Sequence, residues 1–158
     1  MTDTSSSIEV VAATQATDEM VVAFARLLPQ LSSSAKPLDK PALAAIVAAP
    51  STYVLLARDP DKGGEIVGTL TLVVFRIPTA VRAWIEDVVV DSGARGRGAG
   101  ERLTREAIRL ATERGAATIE LTSRPSREAA RRLYERQGFT ARETGVFRYD
   151  IASRKTHG

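Results

Sequence analysis

The sequence predicts an α+β (mixed α/β) fold: a central mixed, mostly antiparallel sheet with one parallel strand pair and helices on both faces. Three observations predict it. β-branched runs follow one another across residues 52–91, and the first two are joined by Asp59-Pro-Asp-Lys-Gly-Gly, a turn composition that makes them antiparallel neighbours. Two helical patterns precede these runs. A strand–helix–strand unit follows them, and a crossover of that length requires parallel strands. The 158 residues suit one domain, 1–158, whose ends at 1–7 and 153–158 are expected to fray.

Taken in order, Ile8–Ala13 reads as a strand. Thr17 is placed to cap a helix from Asp18 to Leu28, which Pro29 is expected to stop. A loop over Leu31–Leu38 leads to an alanine-rich helix, Asp39–Ala49, ending before Pro50. Strands are expected at Thr52–Ala57, Glu65–Phe75 and Ala83–Asp91. From Gly100 the period becomes helical, with Leu103, Ala107, Leu110 and Ala111 on one face and Gly115 closing the helix. Thr118–Thr122 is a short strand. Pro125 sits near the start of a helix carrying Ala129, Ala130, Leu133 and Tyr134, Gly138 closes it, and Phe139 onward returns to strand through about Ile151.

Composition excludes several classes. With 44% hydrophobic and 26% charged residues the chain is globular in type, and it has no apolar run of the ~20 residues a membrane helix needs. No membrane partner is expected. The absence of cysteine removes disulfides and thiolate metal sites, and no metal is expected. The start, MTDTSSS, lacks the basic and apolar regions of a signal peptide, so a cytoplasmic location is expected. The net charge is +3, but the arginines are interleaved with glutamates and no aromatic residues recur at stacking intervals. That distribution weighs against a nucleic-acid surface.

The chemistry concentrates in Val88-Val89-Val90-Asp91-Ser92-Gly93-Ala94-Arg95-Gly96-Arg97-Gly98-Ala99-Gly100-Glu101. Glycines at alternate positions let backbone approach a ligand, and a helix beginning just after them aims unpaired N–H groups outward. Such a site prefers an anion, usually phosphate. The dinucleotide fingerprint G-x-G-x-x-G does not match the spacing here, and a triphosphate loop would end Gly-Lys-Ser/Thr where this one ends Gly100-Glu101-Arg102.

The run Arg95-Gly96-Arg97-Gly98-Ala99-Gly100 resembles the R/Q-x-x-G-x-G/A signature of the GNAT superfamily of acyl-CoA-dependent N-acyltransferases. The segment Ala130-Arg-Arg-Leu-Tyr134-Glu-Arg-Gln-Gly138-Phe139 resembles the family's helix ending in Leu-Tyr-x-x-x-Gly-Phe. Element order agrees over almost the whole chain. Ile85-Glu86-Asp87 is similar to the glucosamine-6-phosphate N-acetyltransferase branch and to many bacterial members.

This resemblance implies a parallel strand pair that splays apart, leaving one strand's backbone free for a cofactor. By it, acetyl-CoA is the cosubstrate. Backbone amides of Gly96, Arg97, Gly98, Ala99, Gly100 and Glu101 hold its pyrophosphate, with Arg95 and Arg97 adding charge at the rim. The Val88-Val89-Val90 run pairs its backbone with the pantetheine arm, mainly through Val88 and Val90. Many members carry asparagine seven residues before the tyrosine; this chain has Arg127, which reaches for a phosphate instead.

An amine attacks a thioester only when neutral, so a carboxylate near the acceptor is expected, Glu86 first and Asp87 second. Strand alternation sends the two to opposite faces unless a bulge intervenes. Tyr134 stands where the family often has the acid for the departing thiolate; the other reading is a core tyrosine against Leu133 and Ala130. The expected function is acetyl transfer to a primary amine, on a small molecule or a peptide, by direct attack in a ternary complex. The alternative is a non-catalytic acyl-CoA-binding regulatory module. The acceptor is expected between Leu31–Leu38 and Thr144–Tyr149, with Lys36 and Arg148 suiting an anionic group. A homodimer is a further expectation from the family.

Overall fold

A computed structural model describes residues 7–154; the remaining expected frayed residues, 1–6 and 155–158, lie outside them. Five strands form one sheet in sequential order: β1 (Glu9–Ala12), β2 (Thr52–Asp59), β3 (Glu65–Ile77), β4 (Ala80–Val90) and β5 (Thr118–Glu120). All neighbours are antiparallel except β4 and β5, which are parallel. The expected mixed, mostly antiparallel sheet is therefore present.

Helices cover both faces. On one face lies α3 (Ala99–Glu113), whose Leu103, Ala107, Leu110 and Ala111 pack on Leu55, Leu70, Leu72, Ala83 and Ile85. On the other, α1 (Asp18–Leu31) and α2 (Lys40–Ala48) bury Met20, Phe24, Leu27 and Leu43 against Val54, Leu56 and Val89. The hydroxyl of Thr17 accepts from Met20 N at 3.2 Å, and Asp39 Oδ1 accepts from Ala42 N at 2.9 Å, so each helix starts on the side chain that can satisfy its first-turn amides.

Three expectations are corrected. Helix α1 runs through Pro29 to Leu31. A proline so near the end removes a single N–H bond, while Leu28 and Leu31 still gain burial on the core, and Ser32 N closes onto Leu28 O at 3.0 Å. The expected strand Thr118–Thr122 is paired only as far as Glu120, where its pairing with β4 ends at Trp84. The expected strand from Phe139 to Ile151 does not form. After α4 (Glu128–Arg136), residues 139–150 join no ladder, and Phe147 is 97% exposed. Strand propensity is a tendency to fit a half-buried pleated surface, and β5, with three residues, offers little edge to pair with. The tail instead ends in a helical turn, α5 (Ile151–Arg154), in which Ser153 donates its N–H to Asp150 Oδ1 at 3.2 Å.

Candidate active site

Strand β4 is paired with β5 only over Arg82–Trp84, opposite Thr118–Glu120. Beyond Trp84 the two strands part, and β4 continues through Val90 with β3 alone as its sheet neighbour. This is the splay. Asp91 N donates to Val67 O on β3 at 2.8 Å, so alternation along the strand turns the backbone groups of Val90, and of Val88 before it, toward the open side.

A bulge sits in the same stretch. Thr71 pairs with Glu86 and Thr69 with Val89, so Leu70 alone faces both Asp87 and Val88. Asp87 takes a left-handed backbone, φ +50°, a conformation that aspartate tolerates better than most side chains. The cause is visible in the pattern. Ala83 and Ile85 enter the core under α3, and unbroken alternation would send Asp87 there next; the extra residue lets Val88 and Val90 take those places while Val89 enters the opposite core. Glu86 and Asp87 both end exposed.

The loop after β4 is held from several sides. Asp91 Oδ2 accepts from Arg26 Nε at 3.0 Å, Asp91 Oδ1 accepts from Gly93 N at 3.2 Å, and Ser92 N donates to Gln30 Oε1 at 2.9 Å. Lys62 Nζ donates to Gly93 O at 3.1 Å. Ala94 and Ala99 are buried in the α3 core and pin the loop from below. Arg97 donates to Asp59 and Asp61, whereas Arg95 is exposed.

Gly96 and Gly98 adopt φ +85° and +81°, and Gly98 caps α3 without any side-chain bond. The first helical N–H to find a carbonyl is Arg102 N, on Gly98 O at 3.0 Å. The amides of Ala99, Gly100 and Glu101 thus form the orphan first turn that favours an anion. The Glu101 carboxylate pairs sideways with Arg105 at 2.8 Å.

Helix α4 is brought to this loop. A Cβ on Gly100 would stand 3.6 Å from Leu133, and Gln137 Nε2 donates to Glu101 O at 3.3 Å. Tyr134 is half-buried, its ring meeting Phe139 edge-on at 5.8 Å, and it lines a groove of 840 Å³ with Ile108, Leu121 and Phe139. Burial pushes the Tyr134 phenol up from its ordinary value, against a smaller opposing pull from Arg127. Arg127 is exposed at the N-terminus of α4. Of the acceptor residues expected from sequence, Lys36 and Arg148 are exposed on separate loops.

Sequence reasoning missed the anchors Arg26, Gln30, Asp59 and Asp91. Asp59 carried only a turn signal, and nothing in the spacing of residues 26 and 91 joins them. Among the described residues, no cluster of His, Asp or Glu could hold a metal ion, and no helix is long and apolar enough to cross a membrane.

A parallel pair that parts beside a glycine loop at a helix start defines an acyltransferase-type site. The Acetyltransferase (GNAT) family model matches residues 23–139, and the chain belongs to this family. It is 36% identical over 91 residues to a mycothiol acetyltransferase of Beutenbergia cavernae, covering 58% of this chain and 29% of that protein; the chain thus spans under a third of that relative. A putative acetyltransferase from Agrobacterium tumefaciens superposes with a TM-score of 0.78 at 27% identity, covering 90% of this chain and 100% of the other. A protein described as a transcriptional regulator from Bacillus halodurans gives 0.75 at 30% identity, covering 90% and 99%.

Proposed function

We propose that the chain is a single N-acetyltransferase domain that transfers the acetyl group of acetyl-CoA to a primary amine by direct attack in a ternary complex. The observation that carries this is the open edge of β4 leading straight into a loop whose glycines and first-turn amides face outward. An extended pantetheine arm fits the first as a substitute strand, through Val88 and Val90. A pyrophosphate fits the second, on the amides from Gly96 to Glu101, with Arg95 in the same loop and Arg127 at the N-terminus of α4 as the proposed positive charges.

The ammonium first gives up one proton; the neutral nitrogen then bonds to the thioester carbonyl carbon, the C–S bond breaks to release the thiolate, and the second N–H proton passes to that thiolate directly or by way of solvent. A lysine-like amine costs about 4.6 kcal/mol to deprotonate at pH 7, at ~1.36 kcal/mol per pKa unit. Glu86 is our base, taking that first proton directly or through water, and Asp87 in the bulge is the second candidate. Tyr134 donates a hydrogen bond to the leaving sulfur. Its raised pKa keeps the phenol protonated and suits hydrogen bonding over full transfer. The acceptor is a small molecule or a peptide amine, the setting cytoplasmic, and a homodimer is part of this reading.

A second reading, an acyl-CoA-binding regulatory module, is favoured by the likeness to the Bacillus halodurans protein. Titration of the purified chain with acetyl-CoA and coenzyme A, with Gly98→Glu as control, tests both. Binding lost in the variant supports the site, and thiol release in an amine screen then separates enzyme from sensor. No binding by the wild type refutes both.

A further inference from the structure

Arg97 stands between the two left-handed glycines of the loop. No atom lies within 4 Å of where a Cβ would stand on either Gly96 or Gly98, so no close packing around that position holds either glycine. Glycine also has the most conformational freedom to lose on ordering. The side chain between them ties the middle of this turn to the body of the protein, beside the anchors at Ala94 and Ala99 on either side.

The Arg97 guanidinium crosses to the end of β2, where Nε donates to Asp59 Oδ2 at 3.2 Å and Nη2 to Asp59 Oδ1 at 2.9 Å. Nη2 also reaches Asp61 Oδ2 at 2.7 Å. Asp59 is only 1% exposed, and its Oδ1 accepts a further bond from Asp61 N at 3.0 Å. A carboxylate that far from water is costly unless its oxygens are matched, and a two-pronged arginine matches them with fixed geometry. The pairing therefore fixes where Arg97 must sit, and with it the path of the backbone between the glycines. At this residue charge is used to hold the loop.

We propose that Asp59 is a positioning residue for acyl-CoA: through Arg97 it pre-forms the Gly96–Gly98 turn, so that the first-turn amides of α3 are already aimed when the diphosphate arrives. The inference rests on the acyl-CoA reading above. Pre-forming a loop raises affinity by removing the ordering cost from the binding step.

The test is isothermal titration of the full chain with coenzyme A, comparing wild type, Asp59→Asn and Arg97→Lys at a temperature where circular dichroism shows each folded. Amide hydrogen exchange without ligand accompanies it. We expect Asp59→Asn to bind at least tenfold more weakly, with faster exchange confined to the Arg102 amide, which donates to Gly98 O, and unchanged protection in β2, β3 and α3 beyond its first turn. Arg97→Lys keeps the charge but loses the two-pronged contact, and should fall between. Wild-type affinity in folded variants overturns the positioning role alone. Absence of coenzyme A binding by the wild type overturns the acyl-CoA reading and the proposal with it. Should Asp59→Asn not fold, Arg97→Lys and Arg97→Gln carry the same comparison.

Discussion

Arg26 Nε donates to Asp91 Oδ2 at 3.0 Å, joining the middle of α1 to the residue where β4 becomes the loop. Burial of Asp91 opposes its charge, but the Gly93 N–H, the Gln30 amide and Arg26 outweigh it and hold the carboxyl below its ordinary range. Asp59 is lowered too, chiefly by its hydrogen bonds from Arg97. A carboxyl depressed on folding contributes stability that is present above its unfolded pKa of about 3.9 and is lost as pH falls through the lower folded value. Urea midpoints should therefore hold from pH 7 to about 5 and drop below about 4. Asp91→Asn should lie lower at neutral pH and flatten the acid slope; an unchanged slope would count against this pairing.

Gly98 and Gly115 have nearly the same left-handed φ, +81° and +82°, with open space where a Cβ would stand. Alanine at either should cost about 1–2 kcal/mol from backbone strain alone. Only Gly98 lies at the proposed pyrophosphate site. Thermal melts should show similar losses for Gly98→Ala and Gly115→Ala, while titration with coenzyme A should be normal for Gly115→Ala and absent for Gly98→Glu.

The bulge makes Asp87 a backbone position as much as a carboxylate. Asp87→Gly and Asp87→Asn should leave stability nearly unchanged, whereas Asp87→Val, β-branched at φ +50°, should lose about 1–2 kcal/mol by urea denaturation. Glu86 has an ordinary strand conformation. If it is the base, Glu86→Gln should lower kcat/KM for the amine by about 10²–10⁴ with coenzyme A affinity preserved, and Asp87→Asn should cost far less.

Tyr134→Phe should lower kcat by a factor of about 10² or more while changing coenzyme A affinity and melting temperature little, because the phenol, and not the ring, would serve the leaving sulfur. Burial raises the Tyr134 pKa, so the rate should show no loss from phenol ionisation below about pH 10. A fall in rate matched by an equal fall in stability would return Tyr134 to a packing role.

Helices α1 and α3, the β2–β3 turn and the glycine loop were legible because each is local: apolar side chains at i, i+3 and i+4, a cap at Thr17, and glycines at positions needing positive φ. The same locality misled at Pro29 and over 139–151. In the first case burial of Leu28 and Leu31 outweighs a rule about one hydrogen bond. In the second, an alternating run such as Phe147-Arg148-Tyr149 becomes a strand only if another strand's edge is there to receive it.

By itself, then, the sequence determined the kind of protein: the order of elements, the apolar faces, and a βα junction rich in glycines of positive φ, since backbone freedom and periodicity are properties of neighbouring residues. Tertiary structure alone decided where β4 and β5 part, that a bulge at Asp87 would keep a carboxylate out of the α3 core, and that Asp59 and Arg26 would hold the loop. Those outcomes depend on pairing and charge matching between residues dozens of positions apart, which local pattern does not encode.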